Sequence, residues 1–309
     1  MDWRKPVVSD ADILQECALN NNFFANNYGA VNSILYEKKF HSQIAIDGEW
    51  IFEKFFEDEK AYFSFPHNIH GKLDDVKQAV EVLRKELCPE CKILSFENIL
   101  ANEKEILLEL YPDAKVTAMP ESGDYIYCTE KLSSLAGKKL SRKRNHIHQF
   151  QKKYSQFSYE PLNEQNLSLV KEVEEKWFKE NFVAASEAGT LSDLEAEKEI
   201  IFYALDNFEA FSKSCGMTGG VLFICENPVA FCIASVLSQK VIDVHFEKCI
   251  APFDHDGGYT VINNEFSKTV STEFINREED LGIDGLRKAK LSYYPEQVLE
   301  KFRVEIGIG

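Results

Sequence analysis

Ile13, Leu14, Cys17 and Ala18 follow the N-cap-like Ser9 at helical spacing, which predicts a helix over residues 11–19. Three extended runs come next: 33–40, 44–56 broken at the hairpin signal Asp47-Gly48, and 61–65 stopped by Pro66. Val76, Val80, Leu83 and Leu87 then recur with the period of a helix across 73–87. A strand at 93–96, a helix at 103–110 closed by Pro112, and strands at 115–119 and 125–128 complete a first α+β half.

The second half opens with residues 131–154, which lack Pro and read as helical apart from Gly137. A short strand at 157–159 leads into helices at 164–182 and 194–211. The clearest β signal follows, an antiparallel meander of 221–225, the turn Glu226-Asn227-Pro228, 229–237 and 241–250. Beyond Gly257-Gly258 the pattern gives a helix at 260–270, a strand at 273–276, a helix at 286–291 and a strand at 302–306. Helices, antiparallel strands, a Gly turn, helix, strand, helix and strand form the order of an N-acetyltransferase-type acyltransferase, and the first half follows it more loosely. The expected fold class is α+β: two tandem acyl-CoA N-acyltransferase (GNAT-like) domains, each a mostly antiparallel mixed sheet flanked by helices. Their expected bounds are 1–134 and 135–309, with the site in the second. The halves share no close sequence repeat, so the duplication rests on element order.

Composition narrows the class further. The 309 residues are 44% hydrophobic and carry a formal charge of −16, which permits sizeable cores and excludes collagen-like, low-complexity and disordered chains. An acidic body argues against coating nucleic acid or anionic membrane with the whole surface, so a polyanion must meet a local patch. The first ten residues carry Asp2, Arg4 and Lys5 and no apolar run, and no stretch of the chain is apolar enough to cross a bilayer. A soluble, cytoplasmic protein is expected. Most of the eight cysteines sit in apolar runs, as small hydrophobes of a reducing compartment do. Cys88 and Cys91 form a C-x-x-C that His67 and His70 would complete as a zinc site. No second C-x-x-C supports that set, and a helix end before Pro89 accounts for the spacing, so no metal is assigned.

Four segments carry candidate chemistry. Residues 131–153 hold eight of the 35 Lys and Arg and no acid, making a positive patch suited to phosphate oxygens. Lys138, Lys139, Arg142, Lys143 and Arg144 supply the charge there, and Asn145, His146 and His148 add donors. A solvated helix face is the plainer alternative. In the strand at 241–250, period-two alternation sets Asp243, His245 and Glu247 on one face, where His245 or Glu247 can act as a general base if the face is not simply wet. Gly257 and Gly258 open a helix whose N-terminal amides suit a pyrophosphate, although Asp254 and Asp256 oppose an anion. Residues 276–290 pack four acids and four bases after a strand, among them Arg277, Glu278 and Lys290, and Tyr293 beyond them can donate a phenolic proton. A surface ion-pair network is the alternative for this segment.

The segments GKKLSRKRNH (137–146), VHFEK (244–248) and INREEDLGIDGLRKAKLSY (275–293) resemble an uncharacterised bacterial family related to the soluble C-terminal domain of phosphatidylglycerol lysyltransferase. That family is similar to the Fem-type aminoacyl transferases, which take an amino acid from aminoacyl-tRNA. The resemblance implies acyl or aminoacyl transfer to an amine or hydroxyl acceptor, peptide and lipid headgroup included. Aminoacyl-tRNA or acyl-CoA is the implied anionic co-substrate. In that scheme Glu247 or Glu278 deprotonates the nucleophile and Arg277 or Lys290 steadies the oxyanion. The chain departs from acetyl-CoA binders at 256–258, which lack their basic residue and full Gly spacing. It departs from the lipid-modifying enzymes at 282–286, where they carry an apolar, Pro-containing sequence, and it has no flippase half. The alternatives are a non-catalytic RNA- or anion-binding module on the same fold and an acetyl-CoA-dependent small-amine N-acetyltransferase.

Overall fold

The computed structural model describes residues 1–57, 60–86 and 92–308. Its strands are β1 (Gln43–Asp47), β2 (Trp50–Glu57), β3 (Lys60–Phe63), β4 (His67–Asn68), β5 (Ile93–Leu100), β6 (Lys115–Ala118), β7 (Asp124–Cys128), β8 (Phe157–Pro161), β9 (Thr218–Ile224), β10 (Asn227–Val236), β11 (Val241–Cys249), β12 (Phe274–Asn276), β13 (Gln297–Leu299) and β14 (Lys301–Gly307). The α-helices are α1 (Ala11–Asn21), α2 (Ala30–Leu35), α3 (Glu37–Phe40), α4 (Val76–Glu86), α5 (Ala101–Leu110), α6 (Thr129–Ser134), α7 (Ser141–Lys153), α8 (Leu167–Ala188), α9 (Leu191–Asp206), α10 (Phe208–Cys215), α11 (Gly258–Ser267) and α12 (Asp284–Leu291). No helix among the described residues is long and apolar enough to cross a membrane.

The strands form two mixed, mostly antiparallel sheets, as the element order predicts. The first runs β1-β2-β3-β5-β14-β6, with β4 on β2, and the second runs β13-β7-β12-β11-β10-β9-β8. Each contains one parallel join, β3 to β5 in the first and β11 to β12 in the second. Each then continues with an antiparallel strand taken from the other half of the chain. β14 pairs with β5 in the first sheet, and β7 pairs with β12 in the second. The expected division at residues 134 and 135 therefore separates most strands of the two sheets but not these two. Buried Lys301, at the start of β14, ties the exchange together by bonding Asp124 of β7 and Asn26, both at 2.7 Å.

Two cores fill the molecule. The larger packs β9, β10 and β11 against α8, α9, α10 and α11, and also takes in α1 and α2 from the start of the chain. Gln15 of α1 donates to the Val236 carbonyl at 2.9 Å, so the N-terminal helix belongs with the second sheet. The smaller core joins Phe52, Phe63, Leu94, Phe96, Val304 and Ile306 of the first sheet to Val80 and Leu83 of α4.

Most predicted elements occur, including the Asp47-Gly48 hairpin, where Gly48 adopts φ +59°. Residues 33–40 are a correction: they lie in α2 and α3 rather than a strand. Burial of Val31, Ile34 and Leu35 follows a helix face, and Asn32 and Ser33 between them make specific polar contacts. The short β13 was not predicted. Cys88 and Cys91 lie outside the described residues. His67 sits in β4 with Nε2 3.1 Å from Glu103, while His70 is a half-exposed neighbour of Glu16 and Glu49.

Candidate active site

The parallel joins create the site. In the second sheet, pairing between β11 and β12 ends at Asp243↔Asn276, yet β11 continues to Cys249, so its far end diverges from its neighbour. In the first sheet the corresponding join is the single pair Phe63↔Phe96. The two openings face one cavity of about 1340 Å³, lined by Ser64, Glu97 and Asn98 from one sheet and by residues 244–248 from the other. A register slip helps aim the wall. Ile233 pairs with Phe246 and Ala234 with Val244, which leaves His245 as the extra residue of a bulge, a device that redirects a side chain.

Arg277 and Glu247 span the opening. The Arg277 Nε donates to Glu247 at 3.0 Å and its Nη2 donates to the same oxygen, while Asn263 reaches the other Glu247 oxygen at 3.4 Å. The guanidinium lies 5.0 Å from the centre of the Tyr293 ring and 5.8 Å from that of Tyr127. Its buried Nη1 has no partner among the described residues. Lys143 of α7 comes to the same ring, with Nζ 3.6 Å from its centre. Burial, then the neighbouring Arg277 and Arg142, draws the Lys143 ammonium down to about 8. Burial pushes the Tyr293 phenol up, and its hydroxyl is 3.3 Å from the Thr260 oxygen.

Beside this pair lies a cluster of acids around one imidazole. His245 Nδ1 is 3.4 Å from Glu278 Oε1 and 3.6 Å from Asp243 Oδ2, and its Nε2 is 2.8 Å from Ser235 Oγ. The Asn32 amide donates to Asp243 at 3.3 Å and to Glu278 at 3.1 Å. Burial, then Glu278, raises the Asp243 carboxyl well above the carboxylate range. Glu279 is raised for the same two reasons and accepts from Asn26 at 2.9 Å. Lys290 faces inward but spends its protons on the carbonyls of Arg277, at 2.6 Å, and Glu279. Glu278 takes the left-handed backbone conformation, φ +55°, fixed by its N–H on Asn276 Oδ1 at 2.7 Å.

The expected site residues thus divide into groups. His245, Glu247, Arg277, Glu278, Lys290, Tyr293 and Lys143 all line the cavity. Lys138, Lys139, Arg142 and Asn145 stand exposed on or just before α7, outside it. Two of the expected roles meet competing contacts: Glu247 is paired with Arg277, and the Lys290 ammonium gives two of its three N–H groups to backbone carbonyls. Arg144 is likewise committed to the Leu135 and Gly137 carbonyls, which hold the turn between α6 and α7. His146 packs α7 on the start of α11, where burial lowers its pKa and a Cβ on Gly257 would meet its Cβ at 3.4 Å. Gly257 needs its φ of +104°, and a Cβ on Gly258 would lie 2.4 Å from the Cys249 sulfur. These two glycines have packing reasons to be glycine, and Asp256 next to them is bound by Lys153 at 2.6 Å and Tyr154 at 2.5 Å. Sequence reading missed Glu53 of β2, which lines the cavity with only the Ser33 hydroxyl, at 3.3 Å, on its carboxylate. Burial raises it to about 7.

Comparison with known proteins agrees with this architecture. A family model described as phosphatidylglycerol lysyltransferase, C-terminal, matches residues 61–305. A conserved protein of unknown function from Bacteroides thetaiotaomicron VPI-5482 is 29% identical and superposes with a TM-score of 0.87 over 99% of each chain. The structure of L-PGS from Bacillus licheniformis superposes with a TM-score of 0.65 at 11% identity, covering 98% of this chain and 93% of that one, a likeness of fold alone. An uncharacterised protein of Mycoplasmoides gallisepticum is 22% identical over 186 residues, so the match spans 60% of this chain and little more than half, 56%, of that relative. With four-fifths of its length matched, the chain belongs to the family of the phosphatidylglycerol lysyltransferase C-terminal domain.

Proposed function

We propose that the protein is an acyl or aminoacyl transferase that takes its acyl group from an anionic donor, aminoacyl-tRNA before acyl-CoA, and passes it to an amine or hydroxyl. The observation that carries this reading is that Lys143 of the basic helix and Arg277 of the charged turn meet at the Tyr293 ring inside one cavity. Two cations held together without a carboxylate for each are a receptor for negative charge. The exposed Lys138, Lys139 and Arg142 continue that charge onto the surface, as a donor much longer than the cavity needs.

In this scheme the acceptor attacks the ester or thioester carbonyl, its new bond to carbon forming as the bond to the donor oxygen or sulfur breaks. The unpartnered Arg277 Nη1 receives the developing oxyanion. Glu53, raised to about 7 by burial and with a single weak partner in the cavity, takes the acceptor's proton and returns it to the departing donor oxygen or sulfur, which leaves as the hydroxyl or thiol. Glu247 holds Arg277 in place rather than touching the acceptor.

The test is binding of uncharged tRNA and of coenzyme A by fluorescence titration, followed by mass analysis of candidate amines mixed with protein and charged tRNA. Salt-dependent tRNA binding that weakens in Lys143→Met, together with a mass gain of one aminoacyl group, is expected. Binding of neither donor overturns the reading. Binding of coenzyme A alone turns it to a small-amine N-acetyltransferase.

A further inference from the structure

We propose that Asp243, His245 and Glu278 form a binding site for one divalent transition-metal ion of the Zn²⁺ or Mn²⁺ type, opening on the cavity between the sheets. The inference goes beyond the transfer reading and does not depend on it.

The ligand atoms are already gathered. One donor atom from each of the three residues lies within 4.8 Å of the others. Bonds of about 2.0–2.2 Å around a common ion require ligand atoms roughly 3.0–3.5 Å apart, and His245 Nδ1 stands 3.4 Å from Glu278 Oε1 and 3.6 Å from Asp243 Oδ2. Two of the three separations are thus already near those a shared ion requires, and the third, between Asp243 and Glu278, is within 4.8 Å. β11 supplies two of the ligands through its i and i+2 positions, and the left-handed turn at Glu278 supplies the third from beyond β12.

The surroundings fit a coordinated imidazole. Ser235 Oγ, 2.8 Å from Nε2, can accept that ring N–H, which fixes the tautomer with the Nδ1 lone pair toward the two carboxylates. Polar groups around the trio are also left over. Asp243 is 1% exposed, and its Oδ1 has no hydrogen-bond partner among the described residues. Asn32, a separate residue that is 6% exposed, has its amide nitrogen on two of the three ligand residues and its own Oδ1 unpartnered. The same amide nitrogen also donates to the Asn26 carbonyl at 3.1 Å. A carboxylate buried with one oxygen unpartnered lacks a counter-charge that a cation on its other oxygen would supply.

Charge points the same way. Asp243, Glu278 and Glu279 lie close together, while the nearby cations have other partners: Lys301 is on Asp124, Arg277 on Glu247, and Lys290 on backbone carbonyls. One imidazole with two carboxylates is a ligand set for zinc or manganese rather than for calcium, which prefers oxygen alone. Water within the cavity, which Glu278 and His245 line, can complete the coordination.

The experiment is isothermal titration of the full chain, stripped with EDTA, with ZnCl₂ and separately with MnCl₂. Anomalous diffraction from crystals soaked in MnCl₂ then locates the ion. One saturable site per chain is expected, with the anomalous peak within bonding distance of Asp243, His245 and Glu278. Asp243→Asn and Glu278→Gln keep side-chain size and should each weaken binding at least tenfold, while Ser235→Ala should weaken it roughly ten- to a hundredfold by freeing the imidazole. Far-ultraviolet circular dichroism of the apo variants shows that the loss is not unfolding. Absence of saturable binding to the wild-type chain overturns the proposal, as does undiminished binding in both folded carboxamide variants or a peak at any other residues.

Discussion

The two sheets repeat one plan and fill it differently. Each has antiparallel strands, a parallel join and an antiparallel strand supplied by the other half of the chain. At the first join an apolar pair, Phe63↔Phe96, meets at the opening, and the Glu97 carboxylate beyond it is closed off by Arg303 at 2.8 Å. At the second join the last pair is Asp243↔Asn276, and His245, Glu247, Arg277 and Glu278 follow. A topology that splays two strands opens both sheets on the shared cavity, and the residues carried on the splayed ends make its two walls unlike.

That contrast can be broken by experiment. The largest effect is expected from ending the chain before Lys301. The first sheet then loses β14, and the second loses the Lys301 contact with Asp124, so cooperative urea unfolding should disappear or weaken by about 5 kcal/mol or more. A truncated chain that unfolds with the wild-type midpoint would refute the interlocked description. Next come the two arginines. Arg277→Ala leaves Glu247 unpaired in a confined place and should cost about 3–5 kcal/mol. Arg303→Ala also strips a buried carboxylate, Glu97 at 8% exposed, of its partner, but the arginine is 30% exposed and water can reach the vacated place, so the cost should be smaller, about 1–3 kcal/mol. Equal losses in urea melts would erase the difference between the two openings.

A smaller effect concerns Glu174 of α8, which is buried with neither carboxylate oxygen hydrogen-bonded among the described residues. Burial raises it from 4.5 to about 7, so between those values the folded chain keeps a proton that the unfolded chain has lost. Stability should therefore fall as pH rises from about 4.5 to about 7. Glu174→Gln should remove that decline and gain about 2 kcal/mol at pH 8, read from thermal melts across pH. An unchanged pH profile in the variant would show that Glu174 is solvated. Smallest of all, replacing Lys138, Lys139 and Arg142 together by Ala should shift stability by less than about 0.5 kcal/mol while lowering the salt dependence of tRNA binding. A large stability loss there would make the exposed stretch structural.

Much of this was legible from residue patterns, and the failures have physical causes. The meander, the long helices and the Asp47-Gly48 hairpin are local, and period and turn residues specify them. The pairing of β14 with β5 joins Lys301 to Leu100, and no local pattern records a partner two hundred residues away. The run at 33–40 was misread because Ile34, Leu35 and Tyr36 favour either structure, and only packing against the second core decides for the helix. Around the site, period-two alternation put Asp243, His245 and Glu247 on one face, but the bulge at His245 shifts the phase: Asp243 lies opposite Ser235 and Glu247 opposite Cys232, on the other face. The charged turn brings Arg277 and Glu278 to the cavity wall. Residue pattern could not show that Lys290 would turn to backbone carbonyls, because that depends on the path of residues 277–279. Glu53 was overlooked although the run at 50–56 offered a signal: the charged pair Glu53-Lys54 inside an otherwise aromatic and apolar strand.

The exchange of closing strands also bears on synthesis. While a ribosome is still making the chain, the β1–β5 layer has no neighbour for the exposed edge of β5, and that edge waits through roughly two hundred further residues for β14 to emerge. An unpaired strand edge invites other chains, so the nascent protein should depend on holding chaperones late in translation and should be least soluble when elongation stalls near its end.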